Sequence, residues 1–218
     1  YITVNETKEF LDSAVQTFPG TRIFVVDNGS PKEKQEELLA VVSQHKTVSL
    51  DFLPYNMGFA KGFNYGIQKA RQEGYDFIAV SNNDVLFNDK NLFDVLIDTY
   101  EKTSCALVGP RIFTPDGNEQ NPFAFERFSD TEARKIYLNF LFWGFLKLPL
   151  KKILPVKIVQ WWRSFRGLKL NHVNSMNEVG DRLFVEVYAL HCAFLLFCPP
   201  FFDYFVGFYE KTFLYGEE

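Results

Sequence analysis

Within the first 84 residues a helical segment gives way three times to a short apolar run. This alternation restricts the chain more than any other feature. The first helix, capped by Asn5 or Thr7, sets Phe10, Leu11, Ala14, Val15 and Phe18 at helical spacing and ends at Pro19-Gly20. Arg22-Ile23-Phe24-Val25-Val26 then reads as a buried strand, closed by Asp27-Asn28-Gly29-Ser30. Ser30-Pro31 opens a second helix with Leu38, Leu39, Val41 and Val42 on its apolar side, and Thr47 to Leu53 alternates like another strand. The loop Pro54 to Gly58 leads into a third helix through about Ala70, and Asp76 to Ser81 is again a buried strand, ending at Asn82-Asn83-Asp84. The connections are too long for hairpins, so the pattern predicts an α/β domain with a mostly parallel central sheet flanked by helices.

Asn91 to Glu101 continues as a helix, Ala106-Leu107-Val108 as a strand and Thr114-Pro115-Asp116-Gly117 as a tight turn. The alternation lapses after Phe123 and resumes at Leu183. From there an apolar stretch, Phe184 to Phe197, runs to Pro199-Pro200. The 218 residues fit a single domain. A net charge of −4 argues against a whole-surface nucleic-acid binder. Cys105, Cys192 and Cys198 lack a paired zinc spacing, and His45, His172 and His191 are scattered, so core or solvated roles in a reducing compartment are expected. No uninterrupted apolar run reaches about 18 residues, and no signal peptide is visible in a chain that opens without an initiator Met.

In parallel α/β sheets ligands sit beyond the carboxyl ends of the strands, so Asp27-Asn28-Gly29-Ser30 and Asn82-Asn83-Asp84 are expected to face one cleft. Between them, Asn56 to Gly66 places glycines four apart at a helix start. Gly58, Gly62 and their neighbours Asn56, Lys61 and Asn64 would let a diphosphate or its sugar approach the helix N-terminus; the same glycines also serve tight packing on a sheet. The stretch is neither G-x-G-x-x-G nor a P-loop, which disfavours dinucleotide and ATPase readings. Asp84, flanked by Asn82 and Asn83, offers hard oxygen ligands to Mg2+ or Mn2+, although Asn-Asn-Asp is equally a turn sequence. Asp27 can accept from a nucleotide base or close an Asx-turn. Glu217 and Glu218 are candidate bases, though paired carboxylates are more often solvated charges.

In order and spacing these pieces resemble the inverting glycosyltransferases of family 2, with the nucleotide-diphospho-sugar (GT-A) fold. Ile23 to Ser30 is similar to the family's second strand and its "VVDNGS" turn. Asn56, Gly58, Ala60, Gly62, Asn64 and Gly66 match "N-x-G-x-A-x-G-x-N-x-G", and Asn82-Asn83-Asp84 stands where the family carries an Asp-x-Asp-like metal motif. Val108-Gly109-Pro110, Thr114 to Gly117, Ala193 to Phe197, Gly207-Phe208 and Phe213 to Glu218 continue the match, which begins after, or inside, the family's first strand and stops at its catalytic motif. The sequence departs from the pattern at Asn82, which replaces the motif's first Asp, and at Cys192, Cys198, Tyr209 and Glu218. The most similar branch is that of bacterial rhamnosyltransferase-like enzymes.

The resemblance implies transfer of a sugar from a nucleoside diphosphate, dTDP- or UDP-linked, to a hydroxyl of a glycan or polyprenyl-linked acceptor in cell-surface polysaccharide synthesis. It implies that Asp27, Asn56, Gly58, Lys61, Gly62, Asn64, Asn82 and Asn83 contact the donor. Asp84 with Asn82 would hold a divalent cation, and Glu217 or Glu218 would act as base. A nucleotidylyltransferase is disfavoured because no glycine-rich, arginine-containing amino-terminal loop is present.

Residues 123–182 read as a helical insertion within this domain. Thr131 to Leu170 holds nine basic residues and one acid, a local charge of +8 that leaves about −12 on the remainder. Trp143, Trp161 and Trp162 lie there among Phe and Leu, and Pro149 and Pro155 break the stretch into short helices. Basic residues interleaved with aromatics suit a lipid headgroup layer, so 137–170 is expected to touch the inner face of the membrane from the cytoplasm. A helical subdomain packed on the catalytic domain, or pairing in a dimer, fits the same residues. So does a non-catalytic scaffold of the same fold that binds a membrane or partner.

Overall fold

The structure, a computed structural model, describes residues 3–127, 129–131, 134, 138, and 184–211. These fall into two compact units: the described residues of Tyr1–Asn121 with Leu190–Glu218, and those of Pro122–Ala189. In the second unit, Ala124 and Ala189 form an antiparallel bridge, and the Tyr188 N–H donates to the Phe125 carbonyl at 3.1 Å.

The first unit runs α1 (Val4–Thr17), β1 (Ile23–Asp27), α2 (Lys32–Val42), β2 (Val48–Phe52), α3 (Phe59–Gln72), β3 (Ile78–Ser81), α4 (Leu92–Thr103), β4 (Leu107–Val108), β5 (Phe194–Phe197) and α5 (Pro199–Phe202). Thr3, not Asn5 or Thr7, caps α1. Thr7 lies inside the first turn, where its hydroxyl donates to the Thr3 carbonyl at 2.9 Å. Pro199-Pro200 opens α5, as proline at a first helical position allows.

The α/β class is as expected, but the parallel sheet is smaller than expected. β1 and β2 pair in parallel, Ile23 opposite Val48 through Asp27 opposite Phe52. β5 inserts between β3 and β4 and runs antiparallel to both. β3 and β4 therefore share one direction, joined through α4, while the strand between them opposes it. Connection length told correctly that β1 and β2 run parallel. A fully buried apolar run such as Phe194-Leu195-Leu196-Phe197, however, carries no mark of its direction. Of the stretch Phe184 to Phe197, only these last four residues form a strand.

Helices cover both faces. Leu11 of α1 and Leu38 and Val42 of α2 pack with Val48 on one side of the parallel pair. Ala60, Ile67 and Ala70 of α3 pack with Ile78, Val80, Leu195 and Phe197 on the other side of the chain's core. Leu96 of α4 meets Phe194, Leu196 and Cys198. β5 thus feeds alternate side chains to α3 and α4, which is why all four of its residues are buried. Burial, reinforced by the neighbouring Cys105, pushes the Cys198 thiol up to about 12, so it packs as a neutral, apolar group. Phe197 meets Phe201 at 4.6 Å and Phe208 at 5.4 Å between ring centroids, both edge-on.

Candidate functional site

The turns after β1 and β3 open at the same mouth of a cavity of about 820 Å³. Asp27, Asn28, Ser30, Asn56, Gly58, Gly62, Asn82 and Asn83 give that mouth its polar groups. Six of the sequence-derived candidates, Asp27, Asn56, Gly58, Gly62, Asn82 and Asn83, are therefore gathered around one space, while Lys61, Asn64 and Asp84 do not line it.

Each polar group is held by its neighbours. Asp27 is buried, and its carboxylate accepts from the Ser30 N–H at 3.0 Å, the Ser30 hydroxyl at 2.5 Å and Gln35 Nε2 at 3.1 Å. The carboxylate thus closes the turn locally, though onto the N–H three residues on rather than the two of an Asx-turn, with three of about four carboxylate acceptor sites in use. Asn28 joins the two loops: its Nδ2 donates to the Gly58 carbonyl at 2.8 Å and to Asn56 Oδ1 at 3.2 Å, and its Oδ1 accepts from the Met57 N–H at 2.9 Å. Asn56 Oδ1 also accepts from the Gly58 N–H at 3.0 Å. That fixes Gly58, the N-cap residue of α3, while the helix has no side-chain cap and its first amides have no intrahelical partner. Sequence reasoning assigned Asn28 no individual role. Its position between a strand end and a glycine-rich helix start was the available signal.

Gly29 is held at φ 78°, and a Cβ there would lie 2.3 Å from the Tyr55 carbonyl carbon and 2.5 Å from the Asn56 nitrogen. Gly20, at φ 90°, has nothing within 4 Å of such a Cβ. Gly29→Ala is expected to cost about 1–3 kcal/mol through conformation and contact together, against about 1 kcal/mol or less for Gly20→Ala. Urea titration of the two variants checks this, and equal losses would show that the loop contact carries no energy.

Asn82 hangs at the end of β3, its N–H donating to the Ala193 carbonyl at 2.9 Å. Asn83 Nδ2 donates to the Thr3 hydroxyl at 2.6 Å and the Thr7 hydroxyl at 2.9 Å, which ties the amino end of α1 to the carboxyl end of β3. Asp84 follows on an exposed turn. The described residues contain no cluster of three metal-ligating side chains.

Asn64 ties α3 to the segment after α5. Its Nδ2 donates to the Phe208 carbonyl at 2.9 Å and to Glu210 Oε1 at 2.8 Å, and its Oδ1 accepts from the Phe208 N–H at 2.7 Å. The amide is consumed in binding residues 208–210 to α3. Lys61 is exposed on the first turn of α3. Glu217, Glu218 and, apart from Leu138, the basic aromatic stretch 137–170 lie outside the described residues. No described helix is long and apolar enough to cross a membrane.

No curated protein and no solved structure shows significant similarity to the chain. A family model, Glycosyl transferase family 2, matches residues 2–155, which takes in the whole run from α1 through β4 and both turns at the cavity mouth. With more than two-thirds of its length matched, the chain belongs to glycosyltransferase family 2.

Proposed function

We propose that the chain is an inverting glycosyltransferase that moves a sugar from a dTDP- or UDP-linked donor to a hydroxyl of a glycan or polyprenyl-linked acceptor. The observation that carries this reading is the convergence of Asp27, Asn28, Asn56, Gly58, Asn82 and Asn83 on one cavity mouth within the family-matched region. Asp27 keeps one acceptor site for a base N–H. The Gly58 to Gly62 turn brings backbone amides toward the diphosphate, and Asn64 serves by holding α3 rather than by touching donor.

The residues at the end of β3 suit a divalent cation of the kind that borrows substrate oxygens. Asp84 has no hydrogen bond or ion pair to the described residues, and Asn83, with its Nδ2 committed to α1, has only its oxygen to offer. One carboxylate with an amide oxygen or two is too few for an all-protein cage, but magnesium and manganese commonly bind through one or two carboxylates plus phosphates and water. Asp84 and Asn82 would hold such a cation, which would supply charge neutralisation to a leaving diphosphate. Glu217 or Glu218 accepts the acceptor's hydroxyl proton as the oxygen attacks the anomeric carbon from the face opposite the diphosphate, which gives inversion without a covalent enzyme intermediate.

Supporting a membrane setting, the +8 stretch Thr131 to Leu170 carries all three tryptophans, and we place the enzyme at the cytoplasmic face of the membrane, in cell-surface polysaccharide synthesis. Glu217→Gln and Glu218→Gln separate the chemistry from binding. One of them is expected to lower transfer by about 10²- to 10⁴-fold with donor affinity unchanged, read by donor titration beside a transfer assay. Full transfer activity in both, and in the double variant, would remove these residues from the mechanism.

A further inference from the structure

The scattered histidines form no motif in the sequence, but His191 stands at the carboxyl end of β3. It lies two residues ahead of Ala193, whose carbonyl accepts from the Asn82 N–H at 2.9 Å and from the Ser81 hydroxyl at 3.3 Å. Its backbone is pinned from the other side. The His191 N–H donates to Asn121 Oδ1 at 2.8 Å, and Asn121 Nδ2 donates to the Pro110 carbonyl at 2.5 Å, just past the end of β4. Asn121 is 2% exposed, and Gly109 makes room for it, since a Cβ there would lie 2.9 Å from Asn121 Nδ2. A buried amide bonded at both ends thus fixes the entry to β5 between the carboxyl ends of β3 and β4, the side of an α/β sheet on which ligands sit.

The imidazole is fixed as well. The Ala193 N–H donates to His191 Nδ1 at 3.1 Å. A backbone N–H only donates, so Nδ1 is the acceptor and the ring proton of this tautomer is on Nε2. The ring is half-buried, and Nε2–H has no hydrogen bond to the described residues and is not shut off from solvent. Closing the two-residue turn onto Ala193 does not require an imidazole, because Asn, Asp or Ser makes the same bond. What histidine adds is an outer N–H donor. That donor is not a cation ligand: a metal-bound histidine coordinates through one nitrogen and donates from the other, whereas here the acceptor nitrogen is spent on a backbone N–H.

The order of the strand ends indicates which part of a donor it meets. In the proposed site Asp27, after β1, takes the base, and Asp84, after β3, stands at the diphosphate. β5 is the strand paired with β3, so a donor laid along that line brings its sugar to the start of β5. We propose that His191 binds the transferred sugar, donating Nε2–H to one of its hydroxyl oxygens, and so takes part in selecting the sugar. This rests on the mouth being a nucleotide-sugar site.

Two substitutions separate the turn from the ligand. His191→Asn sets an amide oxygen near the place of Nδ1, which keeps an acceptor for the Ala193 N–H and deletes the outer donor. His191→Gln sets an amide N–H near the place of Nε2 and keeps that donor. Calorimetry in manganese measures each protein against UDP-glucose, UDP-galactose, UDP-N-acetylglucosamine, dTDP-glucose and dTDP-rhamnose, and against free UDP and dTDP. For the sugar nucleotide that the wild type binds most tightly, His191→Asn is expected to bind about 10-fold more weakly, with affinity for the matching free diphosphate unchanged. His191→Gln should stay within about threefold of the wild type on both. Wild-type affinity of His191→Asn for the sugar nucleotide would overturn the proposal. Equal weakening of sugar nucleotide and free diphosphate would overturn it too, since a disturbed mouth or a contact to the diphosphate acts on both. A wild type that binds no nucleotide would remove the donor reading itself, and this inference with it.

Discussion

Asp84→Ala is expected to abolish the manganese-dependent part of donor binding and leave the fold intact. Its carboxylate is exposed on the turn after β3 and has no hydrogen bond or ion pair to the described residues, so truncation removes no packing and orphans no buried group. The functional loss is large for the opposite reason. Neighbouring Asn82 and Asn83 bring amide oxygens and no charge, so on this turn Asp84 alone would offer a carboxylate to a cation. Donor affinity measured calorimetrically in manganese should drop about 100-fold or more, an effect near 3 kcal/mol, to the level the wild type shows in chelator. Asp84→Asn should behave like the alanine variant, which separates charge from side-chain volume. Unchanged affinity in both would remove the cation from this turn.

Phe197→Ala is the counterpart in the core. Phe197 is 1% exposed, sits opposite Ile78 on one neighbouring strand and Leu107 on the other, and packs edge-on against Phe201 and Phe208. Truncation opens a cavity at the one strand that joins β3 to β4, and a loss of about 3–5 kcal/mol follows. For a domain of marginal stability this is a large fraction of the whole. Phe201→Ala, at a partly buried position in α5, should cost clearly less. Urea midpoints for the pair measure the difference. A loss below about 1 kcal/mol for Phe197→Ala would show that β5 is not the centre of the core.

Residues with local consequences were legible in the sequence. The strand β1 with the turn closed by Asp27, the glycine-bearing start of α3 and the polar turn after β3 each lie where the local pattern puts them. What the pattern did not carry was long-range. The direction of β5 depends on how the chain returns after the long interval beyond β4, and nothing within Phe194-Leu195-Leu196-Phe197 encodes it. Asn64 looked like a ligand-binding amide because it stands in a glycine-rich stretch. Its partners are at Phe208 and Glu210, some 145 positions away. Asn28 went unassigned because its bonds to Asn56, Met57 and Gly58 reach across α2 and β2. The cap of α1 was misplaced by a few residues because Thr3, Asn5 and Thr7 are all acceptable caps by type.

The central claim is that the mouth formed by the turns after β1 and β3 binds a nucleoside-diphosphate sugar. Isothermal calorimetry of the chain against dTDP-, UDP- and GDP-sugars, each in manganese and in chelator, tests it most directly. The account predicts micromolar-range binding of a dTDP- or UDP-linked donor that requires the ion and is lost in Asp84→Ala; absence of binding by every donor in both conditions would contradict it.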